Sequence, residues 1–265
     1  MDLKVKKRLI RYLIGMPRKL ARDNRILKSS AVANGTEASR LINDIINTKQ
    51  FTGKYLEIGV ERGLTFESVV LKDKTAVDPR MLFNKWIKNP RIKLFEVPSD
   101  EYFRKKIRDD LTFDLVYLDG LHTFEQTYLD LVNTFEHLNH DSVVVIDDTV
   151  PCDIFSSYPD QKQAFELREA AGFKNDGSWH GDTFKVVCLL AHLSLPNLNY
   201  RTLVDLQNPK TVVWLNDGYA WPSLPISLAG IPLEGFTYSD NFVPQVSERF
   251  KPSTRLDFLE EVGRK

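Results

Sequence analysis

The chain is poor in the residues that staple or label a protein. Its 265 residues include two cysteines, Cys152 and Cys188, whose spacing matches no metal site. A disulfide framework is therefore not expected, and a reducing cytoplasm is the expected setting. Formal net charge is zero, which argues against a nucleic-acid binder. No stretch of about 18 apolar residues occurs, so no transmembrane helix is expected. Internal repeats and low-complexity segments are absent as well. Apolar residues make up 42% and charged residues 27% of the chain, an ordinary soluble composition. Charge is nonetheless uneven: residues 1–28 hold ten Lys or Arg against Asp2 and Asp23. Val5, Leu9, Leu13, Met16 and Leu20 recur there at helical spacing, with Arg11 interrupting the only apolar run. Residues 1–35 read as a basic helical segment able to touch an anionic membrane surface or to pack on its own domain or a second subunit, as in a homo-oligomer.

Periodicity sets out the rest. A helix is expected over Thr36–Asn47, with Thr36 as cap. Strands are expected at Lys54–Val60, Lys74–Val77, Ile92–Val97, Leu115–Leu118 and Ser142–Ile146. Helices fall between them at Leu64–Leu71, Pro98–Asp110 and Phe124–Leu138. Gln161–Ala171 and Thr183–Leu193 read as helices, and Tyr200–Val204 and Thr211–Leu215 as two further strands joined by "DLQNPK". Alternation at this spacing predicts an α/β fold: a doubly wound, mainly parallel seven-stranded sheet with helices on both faces. Residues 36–217 form that domain. Residues 218–265, rich in proline and glycine, read as an extended C-terminal tail.

Strand one runs into a glycine turn, "YLEIGVERGLTFES". Gly59 allows a sharp turn, and Gly63 allows a ligand to lie against the backbone at the next helix. The spacing is not G-x-G-x-x-G, because position 61 is Glu61, and a nicotinamide-dependent oxidoreductase fits poorly. The pattern E-x-G-x-x-x-G resembles motif I of class I S-adenosylmethionine-dependent methyltransferases. The resemblance implies that Glu57 supports the loop meeting the methionine part of the cofactor. It makes Asp78, at the end of strand two, the acid that accepts both ribose hydroxyls. It sets Ser99, Asp100 and Phe103 near the adenine. The cofactor-binding set so implied is Glu57, Gly59, Glu61, Gly63, Thr65, Asp78, Ser99, Asp100 and Asp119.

Strand four, "FDLVYLDGLH", stops on Asp119, and strand five, "VVVIDDTVP", stops on Asp147 and Asp148. Ligands bind outside the carboxyl ends of strands in open α/β sheets, so three carboxylates would converge at one place. Carboxylates that close repel, and an oxygen-only set suggests a hard cation, Mg²⁺. Thr123 and Gln126 form a Thr-x-x-Gln capping box, which puts His122 just ahead of a helix N-terminus. The helix dipole and a nearby cation would keep its imidazole neutral, as a general base requires. Such a base and metal would activate an alcohol hydroxyl for attack on a sulfonium methyl.

"FDLVYLDGLHTFEQTYLDL" together with "VVVIDD" resembles the branch of metal-dependent sugar O-methyltransferases of macrolide and aminocoumarin biosynthesis, and related bacterial glycan enzymes. "WHGDTFKVV", Trp179–Val187, resembles a recurring element of that group. The resemblance implies Asp119, Asp147 and Asp148 as metal ligands, His122 as base, and a sugar, glycan or other small-molecule hydroxyl as acceptor. A phenol or catechol acceptor stays open, with Trp179, Phe184, Trp214 and Trp221 available for its pocket. So does a non-catalytic, cofactor-binding assembly subunit.

Overall fold

The computed structural model describes residues 35–83, 89–238 and 248–263. The basic segment expected over residues 1–35 lies, but for its last residue, outside the described residues.

In chain order the elements are α1 (Glu37–Lys49), β1 (Lys54–Ile58), α2 (Leu64–Ser68), β2 (Asp73–Val77), β3 (Ile92–Phe95), α3 (Ser99–Lys105), β4 (Phe113–Leu118), α4 (Phe124–Phe135), β5 (Leu138–Ile146), α5 (Gln161–Ala170), α6 (Phe184–Leu193), β6 (Leu198–Leu203), β7 (Lys210–Leu215), β8 (Pro252–Ser253) and α7 (Arg255–Gly263). One sheet contains every strand, in the order β3-β2-β1-β4-β5-β7-β6-β8. β3, β2, β1, β4 and β5 are parallel, and β7 runs antiparallel to both β5 and β6. This is the doubly wound α/β architecture expected from the strand–helix alternation, with eight strands where seven were read.

Side chains alternate across each strand, so every strand feeds two cores. Leu56, Ile58, Val116, Leu118, Val144 and Ile146 face α4 and α6, where Phe124, Leu131, Phe184 and Val187 are buried. Tyr55, Leu115, Tyr117, Val143 and Val145 face the other way, with Leu41, Ile42 and Ile45 of α1, Phe66 of α2 and Phe258 of α7. Both helix layers are thus paid for by apolar stripes that the periodicity had marked.

Three boundaries differ for identifiable reasons. β5 begins at Leu138 rather than Ser142 because the register with β4 shifts between Phe113 and Leu115, which lets Leu138 pair with Phe113 across a polar Asn-His-Asp stretch. α2 stops at Ser68, and the buried Lys74 ammonium donates to the carbonyls of Phe66 at 2.5 Å and Val69 at 3.0 Å, tying off the helix end. The tail is not extended throughout. Pro252–Ser253 adds β8 beside Thr202–Leu203, and α7 follows. Thr254 caps that helix, accepting from Asp257 N at 3.1 Å and donating to its carboxylate at 2.7 Å. Only Phe258 and Val262 of α7 are buried, too thin a stripe to show against the prolines before it. Among the described residues no helix is long and apolar enough to cross a membrane.

Phe258 is fully buried against Trp214, with ring centroids 5.3 Å apart. Phe258→Ala is expected to cost about 3–5 kcal/mol in urea denaturation. A loss below about 1 kcal/mol would mean that α7 does not dock on the sheet.

Candidate active site

The strand order reverses between β1 and β4, and the carboxyl ends of these strands frame a cavity of about 750 Å³. Gly59 makes the crevice possible. It has φ +82°, and a Cβ there would stand 1.8 Å from the Asp119 carbonyl oxygen. Glu57, Gly59, Glu61, Thr65, Asp78, Ser99, Asp119 and His122 all line the cavity, and the Thr65 and Thr36 hydroxyls are 2.9 Å apart at its edge. Glu57 is buried beneath the turn, where burial raises its pKa well above the usual range while the Tyr55 hydroxyl donates to it at 2.6 Å.

Three of the cofactor residues read from the sequence hold other positions. Gly63 does not face the cavity; a Cβ there would meet the Phe83 ring at 2.8 Å. Asp100 and Phe103 point into a separate groove with Leu129 and His137, because the helix that starts at Ser99 turns them outward. Asp78 lines the cavity but spends its oxygens on the turn: it accepts from Val60 N at 2.8 Å, Glu61 N at 2.9 Å and Arg80 N at 2.6 Å. A carboxylate has about four lone-pair directions, so at most one is left for a ribose hydroxyl. Its main work is to hold the glycine turn closed. Beside Ser99 the sequence reading missed Asp130, a buried carboxylate on α4 that lines the same cavity. Burial pushes its pKa up to about 7, and the neutral donors Ser99 and Gln126 only partly offset this. An acid inside the apolar run "YLDLV" was the signal available. Gln126 also departs from the expected capping box. Thr123 accepts from its backbone N–H at 3.4 Å, but its side-chain amide reaches Ser99, Asp100 and Asp130 instead of turning back.

At the other wall His122 lies between two carboxylates. Its Nε2 is 3.2 Å from Asp119 Oδ1 and its Nδ1 2.8 Å from Asp148 Oδ2. His122 and Asp148 both adopt left-handed backbone, φ +58° and +55°, at a cost of roughly 1–2 kcal/mol each. The chain segment after α5 enforces this. Gly181 passes so close to His122 that a Cβ would stand 1.6 Å from the His122 carbonyl oxygen. Trp179 stacks on the imidazole at 5.2 Å and 23°, and its indole donates to the Tyr158 carbonyl at 2.7 Å. Asp182 accepts from Phe124 N at 2.7 Å, capping α4 from a distance. Buried Arg168 ties the clasp together through Asp153 and the Ser178 carbonyl, each at 3.0 Å.

The two carboxylates beside His122 oppose the neutral imidazole expected next to a cation. Burial alone would lower the His122 pKa, but the hydrogen bonds and charges of Asp119 and Asp148 outweigh it and carry it to about 11. A helix dipole is worth about 0.3–1 kcal/mol, too little against two carboxylates in contact. Asp148 is correspondingly held below the usual carboxylate range, whereas burial and its acidic neighbours push Asp119 up to about 7.

The acidic triplet also divides. Asp119, His122 and Asp148 each bring a ligand atom within 4.8 Å of the others, and Asp147 is not among them. Asp147 turns inward to the Lys210 ammonium at 2.6 Å, to Asn208 Nδ2 at 3.0 Å and to the Tyr117 hydroxyl. The β5–β7 register explains this: Ile146 pairs with Thr211, which brings Lys210 opposite Asp147. Asn208 donates to Asp148 as well, at 2.7 Å, and so links the inner carboxylate to the outer one. Both Asn208 and Lys210 come from "DLQNPK", which sequence reading treated as a connection. Its antiparallel return to β5 was not legible.

Residues 56–149 match the family model described as a methyltransferase domain. The match runs from within β1 to just past the end of β5. No curated protein matches the chain. Among solved structures it is similar to an O-methyltransferase from Bacillus cereus in complex with S-adenosylhomocysteine, at 10% identity and TM-score 0.44, covering 80% of this chain and 97% of that one. It is also similar to TomG of Streptomyces achromogenes, an O-methyltransferase of tomaymycin synthesis bound to S-adenosylmethionine, at 10% identity and TM-score 0.44, covering 69% and 82%. A third is MycE of the mycinamycin pathway, in complex with Mg, S-adenosylhomocysteine and mycinamycin VI, at 17% identity and TM-score 0.43, covering 71% and 51%.

Two stability experiments test this arrangement. Lys210→Met strands a buried carboxylate and is expected to cost about 3–5 kcal/mol, much of it recovered when Asp147→Asn is added. A single-variant loss under about 1 kcal/mol would remove the pair as a structural strut. Asp130 binds its proton more tightly folded than unfolded, so it detracts from stability as pH rises from near 4 to about 7. Asp130→Asn should therefore leave the melting temperature almost unchanged at pH 4. At pH 8 it should raise stability by up to a few kcal/mol. An equal effect at both pH values would contradict the burial of its charge.

Proposed function

We propose that the protein is a divalent-metal-dependent O-methyltransferase that transfers the methyl of S-adenosylmethionine to a hydroxyl of a sugar, glycan or similar polyol. One observation carries the reading: Asp119 and His122, with Asp148 behind them, stand in the wall of the cavity that the glycine turn opens. The donor set fits a hard cation. Two carboxylates and an imidazole nitrogen lie within 4.8 Å of one another. Asn208 Oδ1, buried and without a hydrogen-bond partner among the described residues, is a further oxygen on a side chain already bound to Asp148. Asp119 and Asp148 would hold the cation, with His122 or Asn208 beside them; Mg²⁺ is the proposed ion. When bound, such a cation lowers the pKa of an alcohol and offsets the developing negative charge on its oxygen.

The chain's own residues supply the rest. Gly59 and the turn clamped by Asp78 leave room for the sulfonium, and the acceptor oxygen attacks its methyl carbon in line as the carbon–sulfur bond breaks. The products are a methyl ether and neutral S-adenosylhomocysteine. The hydroxyl proton passes to the Asp119–His122–Asp148 group, which exchanges protons as a unit rather than through one residue, and then to water. Positioning and fixed charge do most of the work. The polyol is favoured over a phenol by the aromatic residues. Of Trp179, Phe184, Trp214 and Trp221, only Trp179 lines the cavity; Phe184 and Trp214 are core residues, and Trp221 packs on Phe135.

The test is calorimetric titration with S-adenosylmethionine and Mg²⁺, followed by turnover on hydroxylated acceptors. His122→Ala should keep S-adenosylhomocysteine affinity within about threefold while turnover falls by roughly 10²–10⁴. Asp148→Asn should weaken Mg²⁺ binding about 10–100-fold in the same calorimeter. Full activity in excess chelator would sink the metal assignment, and near-normal turnover of His122→Ala would sink its part in proton transfer.

A further inference from the structure

Residues 204–209 connect β6 to β7 as a hairpin loop, the kind of segment that moves unless something holds it. Asn208 of this loop nevertheless makes an exacting contact in the reactive wall. Its amide nitrogen gives one hydrogen to Asp147 Oδ1 at 3.0 Å and the other to Asp148 Oδ1 at 2.7 Å. Turned the other way, the amide would set its oxygen against both carboxylates, so charge fixes its orientation. With Asp148 Oδ1 taken by Asn208, it is Oδ2 that faces the His122 imidazole, at 2.8 Å. One nitrogen can serve two carboxylates only if the backbone beneath it stays in place.

That backbone is held from the far end of the chain. Glu37, the first residue of α1, accepts from Gln207 N at 2.9 Å through Oε1 and from Asn208 N at 3.2 Å through Oε2. Two successive N–H groups on one carboxylate fix the loop in rotation as well as in position. Lys210 Nζ adds a bond to the Asn208 carbonyl at 3.1 Å. An acid in the first turn of a helix is favourable for the dipole alone, but that role makes no demand on where its oxygens point. Here both are spent on a loop 170 residues away. The neighbouring Thr36 caps the same helix, accepting from Ser39 N at 3.0 Å, and lines the cavity, which Glu37 does not.

We propose that Glu37 is a positioning residue for the reactive wall: by gripping the Gln207–Asn208 backbone it aims the Asn208 amide across Asp147 and Asp148, and so sets how well Asp148 holds a cation. The proposal rests on the metal reading above for its functional consequence. Glu37 touches neither the cation site nor the cavity, so its whole effect passes through Asn208. Loss of the grip frees the hairpin tip, and Asp148 then loses the donor that orients it.

The test is a double-mutant cycle on the full chain, with Mg²⁺ affinity read by calorimetry. Glu37→Ala should weaken Mg²⁺ binding about tenfold, and Asn208→Ala about 10–100-fold, as partners of metal ligands do. The double variant should bind Mg²⁺ no more weakly than Asn208→Ala alone, because one residue acts through the other. Glu37→Ala binding Mg²⁺ within about twofold of wild type overturns the proposal, and so do losses that multiply in the double variant. A Glu37 that only stabilised α1 would lower the melting temperature and leave Mg²⁺ affinity unmoved. A second readout needs no metal. In proton–nitrogen correlation spectra the two Asn208 side-chain amide protons, each on a carboxylate, should lie away from the free-amide position and return to it in Glu37→Ala. Signals unmoved by that substitution overturn the proposal whether or not Mg²⁺ binds. Wild-type protein that binds no Mg²⁺ overturns the metal reading instead, so the two failures are distinct.

Discussion

A buried ion pair at the rim of the sheet, Lys210 with Asp147, is the contact on which the reactive wall depends. β5 ends in two adjacent acids, and a parallel strand alone offers nothing to separate their roles. The antiparallel return of β7 brings an ammonium against the first acid at 2.6 Å. That fixes Asp147 inward, and Asn208 then reaches from Asp147 to Asp148. The outer carboxylate is thereby held against His122 rather than left to solvent. An isolated buried carboxylate would cost several kcal/mol or take up a proton. The neutralised inner acid lets the outer one stay charged.

The opposite side of His122 is controlled by a different part of the chain. Trp179, Gly181 and Asp182 press on the imidazole and on the first turn of α4, and Arg168 anchors them from α5. His122 is therefore set between an acidic frame from β4 and β5 and an aromatic clasp from the excursion after β5. Its left-handed backbone is tolerated because both sides constrain it.

Much of this was legible in the sequence, and the gaps share a cause. Continuous apolar runs in "LVYL" and "SVVVI" mark strands buried on both faces, and a glycine turn after β1 marks the crevice, because each is a local consequence of the backbone. The Asp-x-x-His spacing likewise led to Asp119 and His122. What failed was orientation. Asp147 and Asp148 look equivalent as neighbours in "IDDT", and only the pairing partner 63 residues later tells them apart. Asp100 directly follows Ser99, and only the rotation of the helix that starts there turns it to the outer groove while Ser99 stays in the cavity wall. The imidazole's charge depends on two carboxylates brought in by different strands, a balance that a local dipole argument could not weigh. Likewise α7 hides behind proline-rich chain, although its Thr254-x-x-Asp257 cap was there to be read.

The two ends of the described chain are in mechanical contact. Gly263 at the end of α7 lies so close to Thr48 that a Cβ would sit 2.9 Å from its methyl, and Arg255 pairs with Asp44. α1 begins at Thr36, whose hydroxyl meets Thr65 at the edge of the cavity. The last helix thus acts as a buckle on the first, and the first begins at the cavity's edge. Trimming the C-terminus would slacken the crevice from behind, although no residue of α7 lines it, so the domain's boundary cannot be placed at its last long strand.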